Sequence, residues 1–233
     1  MTETLEIDNL TFIVKRSNNR SSIGITVERD GDVTLHAPTN YPVNQLEDYA
    51  NQKLLWIHQK LAKKNQLRES QRNREFVTGE GFYYLGRSYR LLIVDSDPST
   101  PPLRLYQGRF CLRHDEIKNA SDHYIQWYIN HADVRLYERT KRYSEQLNLS
   151  ILTTQVQDLG SRWASCSPSG LISYHWRTIL LPLDIIDYII VHELAHILEP
   201  HHTDTFWSFI EKNLPDYKHR KQWLAEHGAA FDI

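Results

Sequence analysis

Only two cysteines, Cys111 and Cys166, occur in 233 residues. That is too few for a disulfide framework, and a chain of this length buries enough apolar surface not to need one. Charge of one sign is also missing. With 27 basic residues against 29 acidic ones, no overall field draws the protein to nucleic acid or to an anionic membrane. Long apolar runs are absent: the most apolar stretch, 185–191, is interrupted by Asp187 and is far shorter than the roughly 20 residues of a membrane span. The first seven residues have neither the basic start nor the apolar core of a secretory signal, so the expected location is the cytoplasm. No internal repeat and no low-complexity tract is visible. What is present is an ordinary globular composition, 40% hydrophobic and 24% charged, enough for one large domain or two modest ones.

The order of elements predicts an α+β fold. Leu10 to Lys15, Ile23 to Val27 and Val33 to His36 are β-rich runs, the last two joined by a turn at Asp30-Gly31. They predict a small N-terminal antiparallel sheet. A helix follows from near Asn44, with Glu47 completing a near capping box and Leu46, Ala50, Leu54, Ile57 and Leu61 forming its apolar stripe. Strands resume at Phe82 to Leu85 and Tyr89 to Val94 around Gly86-Arg87, then at Leu103 to Tyr106 and Phe110 to Leu112 around Gln107-Gly108. Between them the proline-rich stretch 95–102 is a clear loop.

From about Asn119 the period becomes helical, with Ile125, Ile129, Ala132, Leu136, Tyr143 and Leu147 on one face. A strand at 152–159 comes next, then a hairpin with its tip at Ser167-Pro168-Ser169-Gly170 that returns along 171–181, with Arg162 and Arg177 on the two strands before the following helix. Pro182 and Asp184 open a helix that Pro200 stops, and helices near 205–213 and 217–227 follow, the last capped by Gly228. These changes place a boundary near Lys118, between a mainly β region, 1–118, and a helix-rich region, 119–233, that carries the chemistry.

That chemistry is concentrated in His192-Glu193-Leu194-Ala195-His196. On a helix, residues four apart project from one side, so the two imidazoles can converge on one ion, with Zn–N near 2.0–2.1 Å. Glu193 is turned about 100° from His192, which suits a general base acting on a metal-activated water rather than a ligand. Catalytic zinc takes three protein ligands, and the neighbouring candidates are Glu199, His201, His202 and Asp204, with Glu211 or Glu226 as more distant acids. Glu199 precedes Pro200, which disfavours helical geometry there. His202 lies beyond the break, where the chain can turn back, and its offset of six from His196 equals that of the metzincin motif, although Glu199 stands where that motif has glycine.

The succession Gly160-Ser161-Arg162-Trp163-Ala164-Ser165-Cys166-Ser167, then Tyr174-His175-Trp176-Arg177, then Ile186 through His196, ending His202-Thr203-Asp204-Thr205-Phe206-Trp207, resembles the YgjP-like metallopeptidase family, a bacterial group related to the WLM and SprT-like zincins. The resemblance is strong over 158–207 and weak before Phe82. It implies a minimal zincin-like unit after the N-terminal sheet, His192, His196 and His202 as zinc ligands, Glu193 as catalytic acid/base, and a peptide or protein substrate. Ala164 and His175 depart from the glycine and asparagine of the family blocks.

Other residues admit two readings. Arg162, Arg177 and His175 could border the cleft and bind an oxyanion, carboxylate or phosphate, or could hold the fold through ion pairs and cross-strand contacts. Cys166 could be a ligand or a regulatory thiolate, or a small buried residue at the hairpin. Phe206 and Trp207 read as core residues of the helix that pins His202. The basic run from Lys60 to Arg74 reads as a solvated helix face, with nucleic acid phosphates as the other partner. Two rival functions go with these readings: hydrolysis of nucleotide phosphoanhydrides with Arg162 and Arg177 on the phosphates, and a nucleic-acid-associated zinc module with a fourth protein ligand.

Overall fold

The computed structural model describes residues 3–27, 31–69 and 74–233, and of 63–69 the backbone alone. The chain divides into two compact units, Met1–Ser70 and Gln71–Ile233. In the first, β1 (Glu3–Ile7), β2 (Leu10–Ser17), β3 (Gly24–Val27) and β4 (Val33–Pro38) form a sheet in the order β1-β2-β4-β3, followed by α1 (Val43–Glu69). The sheet is mixed rather than antiparallel. Two hairpins lie side by side, so their inner strands β2 and β4 run parallel, Phe12 opposite Val33. The β1/β2 turn, Asp8-Asn9, holds φ at 51° and 62°, a conformation these two side chains tolerate. Phe12, Leu35, Leu46, Ala50 and Ile57 are fully enclosed between sheet and helix, which matches the apolar stripe expected of α1. The helix starts at Val43, so Asn44 lies within its first turn rather than capping it. Asp30 of the expected turn, and the side chains of Lys63, Lys64, Arg68 and Arg72 in the basic run, lie outside the described residues.

The second unit begins on the same plan. β5 (Gly81–Tyr84), β6 (Arg87–Val94), β7 (Leu103–Tyr106) and β8 (Arg109–Arg113) are ordered β5-β6-β8-β7, again with the inner pair parallel. A 3-10 turn leads into α2 (Ala120–Gln146), which is 27 residues long, as is α1. Two modules of four strands and a helix therefore succeed one another without a detectable sequence repeat. Arg74, at the end of the basic run, is committed internally: it donates to Gly81 O at 2.8 Å and lies over the Phe82 ring.

The face of α2 that packs on this sheet is aromatic. Tyr124, Trp127 and Tyr128 are buried against Phe82 and Phe110, with ring centroids 4.1 Å apart for Phe82–Tyr124 and 4.9 Å for Phe110–Trp127. Ile125 and Ile129, expected on the buried face, are only partly covered, because the larger rings one position away fill the space over the sheet. Farther along, Leu136 and Thr140 turn to the third sheet, where the Thr140 hydroxyl lies 2.8 Å from Tyr174 Oη. The change of character near Lys118 is thus a change from strand to helix inside one unit, and residues 71–118 belong to the same compact body as 119–233.

That third sheet, β9 (Thr153–Gln157), β10 (Ala164–Cys166) and β11 (Leu171–His175), has the order β10-β11-β9, with β10 an edge strand antiparallel to β11. A 3-10 turn over Trp176–Leu180 leads to α3 (Leu183–Leu198), then α4 (Asp204–Asn213) and α5 (Tyr217–His227). The fold is α+β, with three small mixed sheets and five helices among the described residues.

Three local devices place α3. The β5/β6 turn is Leu85-Gly86, one residue earlier than expected, and its two N–H groups donate to Ile179 O and Leu180 O at 2.9 Å. A Cβ on Gly86 would lie 2.7 Å from Pro182 Cα, so only glycine lets the turn touch the start of the helix. Asp187, which breaks the apolar run, is buried and held by Arg139 from α2 in a two-pronged pair, Nε to Oδ1 and Nη2 to Oδ2 at 2.7 Å. Ile185, Ile186, Ile190 and Leu194 then bury the remaining faces of α3, each contributing roughly 1.5–3 kcal/mol. Gly228 comes after α5 with φ −55°, in right-handed backbone; it is close to Trp163, whose ring a Cβ would meet at 3.0 Å, so closeness rather than a left-handed cap selects it.

Candidate metal centre

On α3, His192 and His196 present their rings to one side with centroids 5.0 Å apart. The helix stops at Glu199, whose extended backbone (φ −138°, ψ 105°) turns the chain outward ahead of Pro200. Thr203 starts the return. Its hydroxyl accepts from Phe206 N–H at the head of α4, and His202 just before it swings back over α3. One ligand atom from each of His192, His196 and His202 then lies within 4.8 Å of the others, a group that could hold a metal ion. Neither His201 nor Glu199, Asp204, Glu211 or Glu226 joins it; the Glu199 carboxylate accepts instead from His201 N–H.

The donor chemistry fits an ion. His192 Nε2 and His202 Nε2 are 3.1 Å apart, close to the roughly 3.3 Å separating two nitrogens bound tetrahedrally to zinc at 2.0–2.1 Å. Burial pulls the pKa of all three imidazoles down, that of His192 to about 3, so they stand neutral with lone pairs available at neutral pH. Glu199 O lies 3.2 Å from His196 Nδ1, which points Nε2 at the cluster. His192 Nδ1 is buried without a hydrogen-bond partner among the described residues, so that ring is positioned by packing. Phe206, fully buried, is the shared floor: its centroid is 5.0 Å from His192, 4.7 Å from His196 and 4.7 Å from His202. Trp207 stacks on His202 at 5.5 Å and on Tyr217 at 5.6 Å. Both rings hold His202 in place, as their positions just after it in the sequence predict.

Glu193 is buried on the same helix and lines the same cavity of about 350 Å³ as the three histidines. Burial pushes its carboxyl up to about 8, opposed by the Arg162 charge and by the Cys166 backbone N–H. Edge strand β10 forms one wall of that cavity, with the hairpin tip residues Ser167 and Pro168 beyond it. Burial likewise drives the Cys166 thiol up to about 11, so it is no thiolate at neutral pH.

Arg162 and Arg177, expected on the strands, lie in the turn before β10 and in the 3-10 turn after β11, and they part company. Arg162 lines the cavity. Arg177 faces the chain's end, its Nε 2.5 Å from Asp232 Oδ1 and its guanidinium over the Trp176 ring. His175 is fully buried, its Nδ1 accepting from Arg177 N–H and its Nε2 3.1 Å from Asp158 Oδ1. These two are fold-holding residues. Lys221, which no sequence motif marks, also reaches this region, its Nζ 4.0 Å from the Trp207 ring centroid. It sits 19 residues past His202 on a polar helix, where nothing local marks it.

The sequence pattern of the YgjP-like metallopeptidase domain matches residues 21–227. The chain belongs to the YgjP-like metallopeptidase family. It is thereby a metallopeptidase-family enzyme, and its three-histidine cluster falls inside the matched span. Among solved structures, the crystal structure of the metallopeptidase zymogen of Pyrococcus abyssi abylysin is similar at 22% identity over 37% of this chain and 89% of that one, with a TM-score of 0.35, a partial and distant likeness. No curated protein matches. No helix among the described residues is long and apolar enough to cross a membrane.

Proposed function

We propose that this YgjP-like protein is a zinc-dependent peptidase, with His192, His196 and His202 as ligands and Glu193 as general base, its chemistry carried by the stretch 119–233. The supporting observation is β10, an edge strand that walls the same cavity as the histidine cluster and Glu193. An extended peptide can add to such an edge through main-chain hydrogen bonds, which brings its backbone carbonyls past the cluster. Three neutral imidazoles suit zinc and leave a fourth position. Bound there, the ion would acidify water and polarise a substrate carbonyl. Glu193, in the same cavity as the cluster, would accept the proton at its carboxylate and deliver it to the leaving amine. Phe206 and Trp207 keep the His202 ring in place while this happens. A cytoplasmic location is part of the same proposal.

The rivals have less support. A phosphoanhydride hydrolase would call on Arg162 and Arg177 together, and Arg177 is spent on Asp232. A purely structural zinc would want a fourth protein ligand, and the cluster among the described residues has three. The test is to offer zinc-loaded protein an unfolded protein and nucleoside triphosphates side by side. Cleavage of the unfolded protein, abolished by chelation and restored by zinc, is expected. Cleavage of the triphosphates with the protein left intact would reject the peptidase.

A further inference from the structure

Two cations stand beside the candidate site without a carboxylate of their own. Arg162 enters the histidine cavity from the turn before β10, and its guanidinium has no hydrogen bond or ion pair among the described residues. Lys221, on α5, belongs to a second cavity of about 410 Å³ lined also by Trp207, Tyr217 and Ala225. Trp207 connects the two, because its ring lines the second cavity and stacks on His202. Lys221 too makes no ion pair among the described residues, whereas its neighbour Lys218 is paired with Glu211 at 2.9 Å. Among the described residues, the only acid lining either cavity is Glu193, the proposed base.

A cation in each of two cavities that adjoin through Trp207, with Glu193 the one lining carboxylate among the described residues, favours carboxylates and disfavours lysine or arginine side chains by like-charge contact. A planar guanidinium grips a carboxylate in two places, and an ammonium beside aromatic rings leaves apolar surface for an aliphatic stem. We infer that the substrate is an acidic peptide segment, with one carboxylate held by Arg162 and another by Lys221. Arg162 and Lys221 are then specificity residues. This rests on the peptidase reading.

The test uses the zinc-loaded full chain and matched peptides whose residues flanking the cleaved bond are acidic, neutral or lysine. The acidic set should be cleaved with kcat/KM roughly tenfold or more above the lysine set, through KM rather than kcat, as charge-assisted contacts of this kind supply. Charge reversal at both positions, Arg162→Glu with Lys221→Glu, should invert the order, and Arg162→Lys with Lys221→Arg should keep it. Both side chains are exposed, and zinc content with thermal denaturation verifies that each variant is folded and loaded. A second arm measures binding of the same peptides to zinc-loaded Glu193→Gln by fluorescence anisotropy. Cleavage with no charge preference, or a preference that charge reversal leaves alone, overturns the inference while the peptidase stands. Acidic peptides bound in a way that charge reversal abolishes, yet never cleaved by the parent protein, would sink the peptidase and support the two cations as a carboxylate-binding pair. Binding of no peptide at all overturns the inference.

Discussion

Removing the Glu193 charge should make the metal-free protein more stable at neutral and alkaline pH. Burial raises this carboxyl from its ordinary 4.5 to about 8, so the fold keeps it protonated where the unfolded chain has already released its proton. Below pH 4.5 the group is neutral in both states and makes no difference. Between pH 4.5 and about 8 the folded state binds more protons, so stability falls as pH rises, and above 8 the full cost of a buried charge is present. A rise from 4.5 to about 8 corresponds to roughly 5 kcal/mol on the scale of 1.36 kcal/mol per pH unit. Glu193→Gln removes that cost while keeping an oxygen for the Cys166 N–H. The assay is denaturant unfolding of both proteins in chelator from pH 4 to pH 9. His192, lowered to about 3 by burial, weakens both equally toward acid, so the difference between the profiles isolates Glu193. The gap should open from near zero at pH 4 to several kcal/mol in favour of the variant at pH 8. Parallel profiles would refute the claim that the carboxyl is held in a desolvated site.

Three further outcomes are expected. Phe206→Ala, which deletes the floor under all three rings, should destabilise the protein by about 3–5 kcal/mol and weaken zinc binding, monitored by thermal denaturation and a metal titration. Unchanged zinc affinity would show that the ring does not position the ligands. Arg177→Gln loosens the contact with Asp232 and should lower stability by about 1–2 kcal/mol with zinc affinity intact; a tenfold loss of affinity would mean this network reaches the metal. His202→Ala should lower zinc affinity, and with it the stabilisation that zinc brings, whereas His201→Ala should not. The reverse ranking would assign the wrong neighbour.

The cluster was legible because its spacing is helical and local: His192 and His196 share one face, and Pro200 announces the break that lets His202 return. The helices after Pro182 are legible too, since each is bounded by proline, glycine or a polar cap, whereas the expected strand along 171–181 ends at His175 and gives way to a 3-10 turn. What stayed hidden is relational. Parallel pairing of β2 with β4, and of β6 with β8, depends on how two hairpins meet, which the alternation within one strand does not encode. The shared plan of the two four-strand modules is hidden for the same reason, as it lies in strand order and turn geometry rather than in recurring residues. Arg162 and Arg177 looked equivalent in sequence, and only Asp232, 55 residues beyond Arg177, tells them apart. The buried face of α2 lies one position from the expected one, because size at Tyr124 and Tyr128 outweighs the apolarity of Ile125 and Ile129 once a sheet lies opposite.

Within five residues of one helix, His192 and His196 are assigned to metal binding and Glu193 to catalysis. The direct measurement is zinc content and peptide turnover on the same preparations of parent protein and Glu193→Gln. Equal zinc is expected, about one ion per chain, with turnover of the variant reduced by 10²-fold or more for loss of a general base. Equal zinc with undiminished turnover would contradict that assignment.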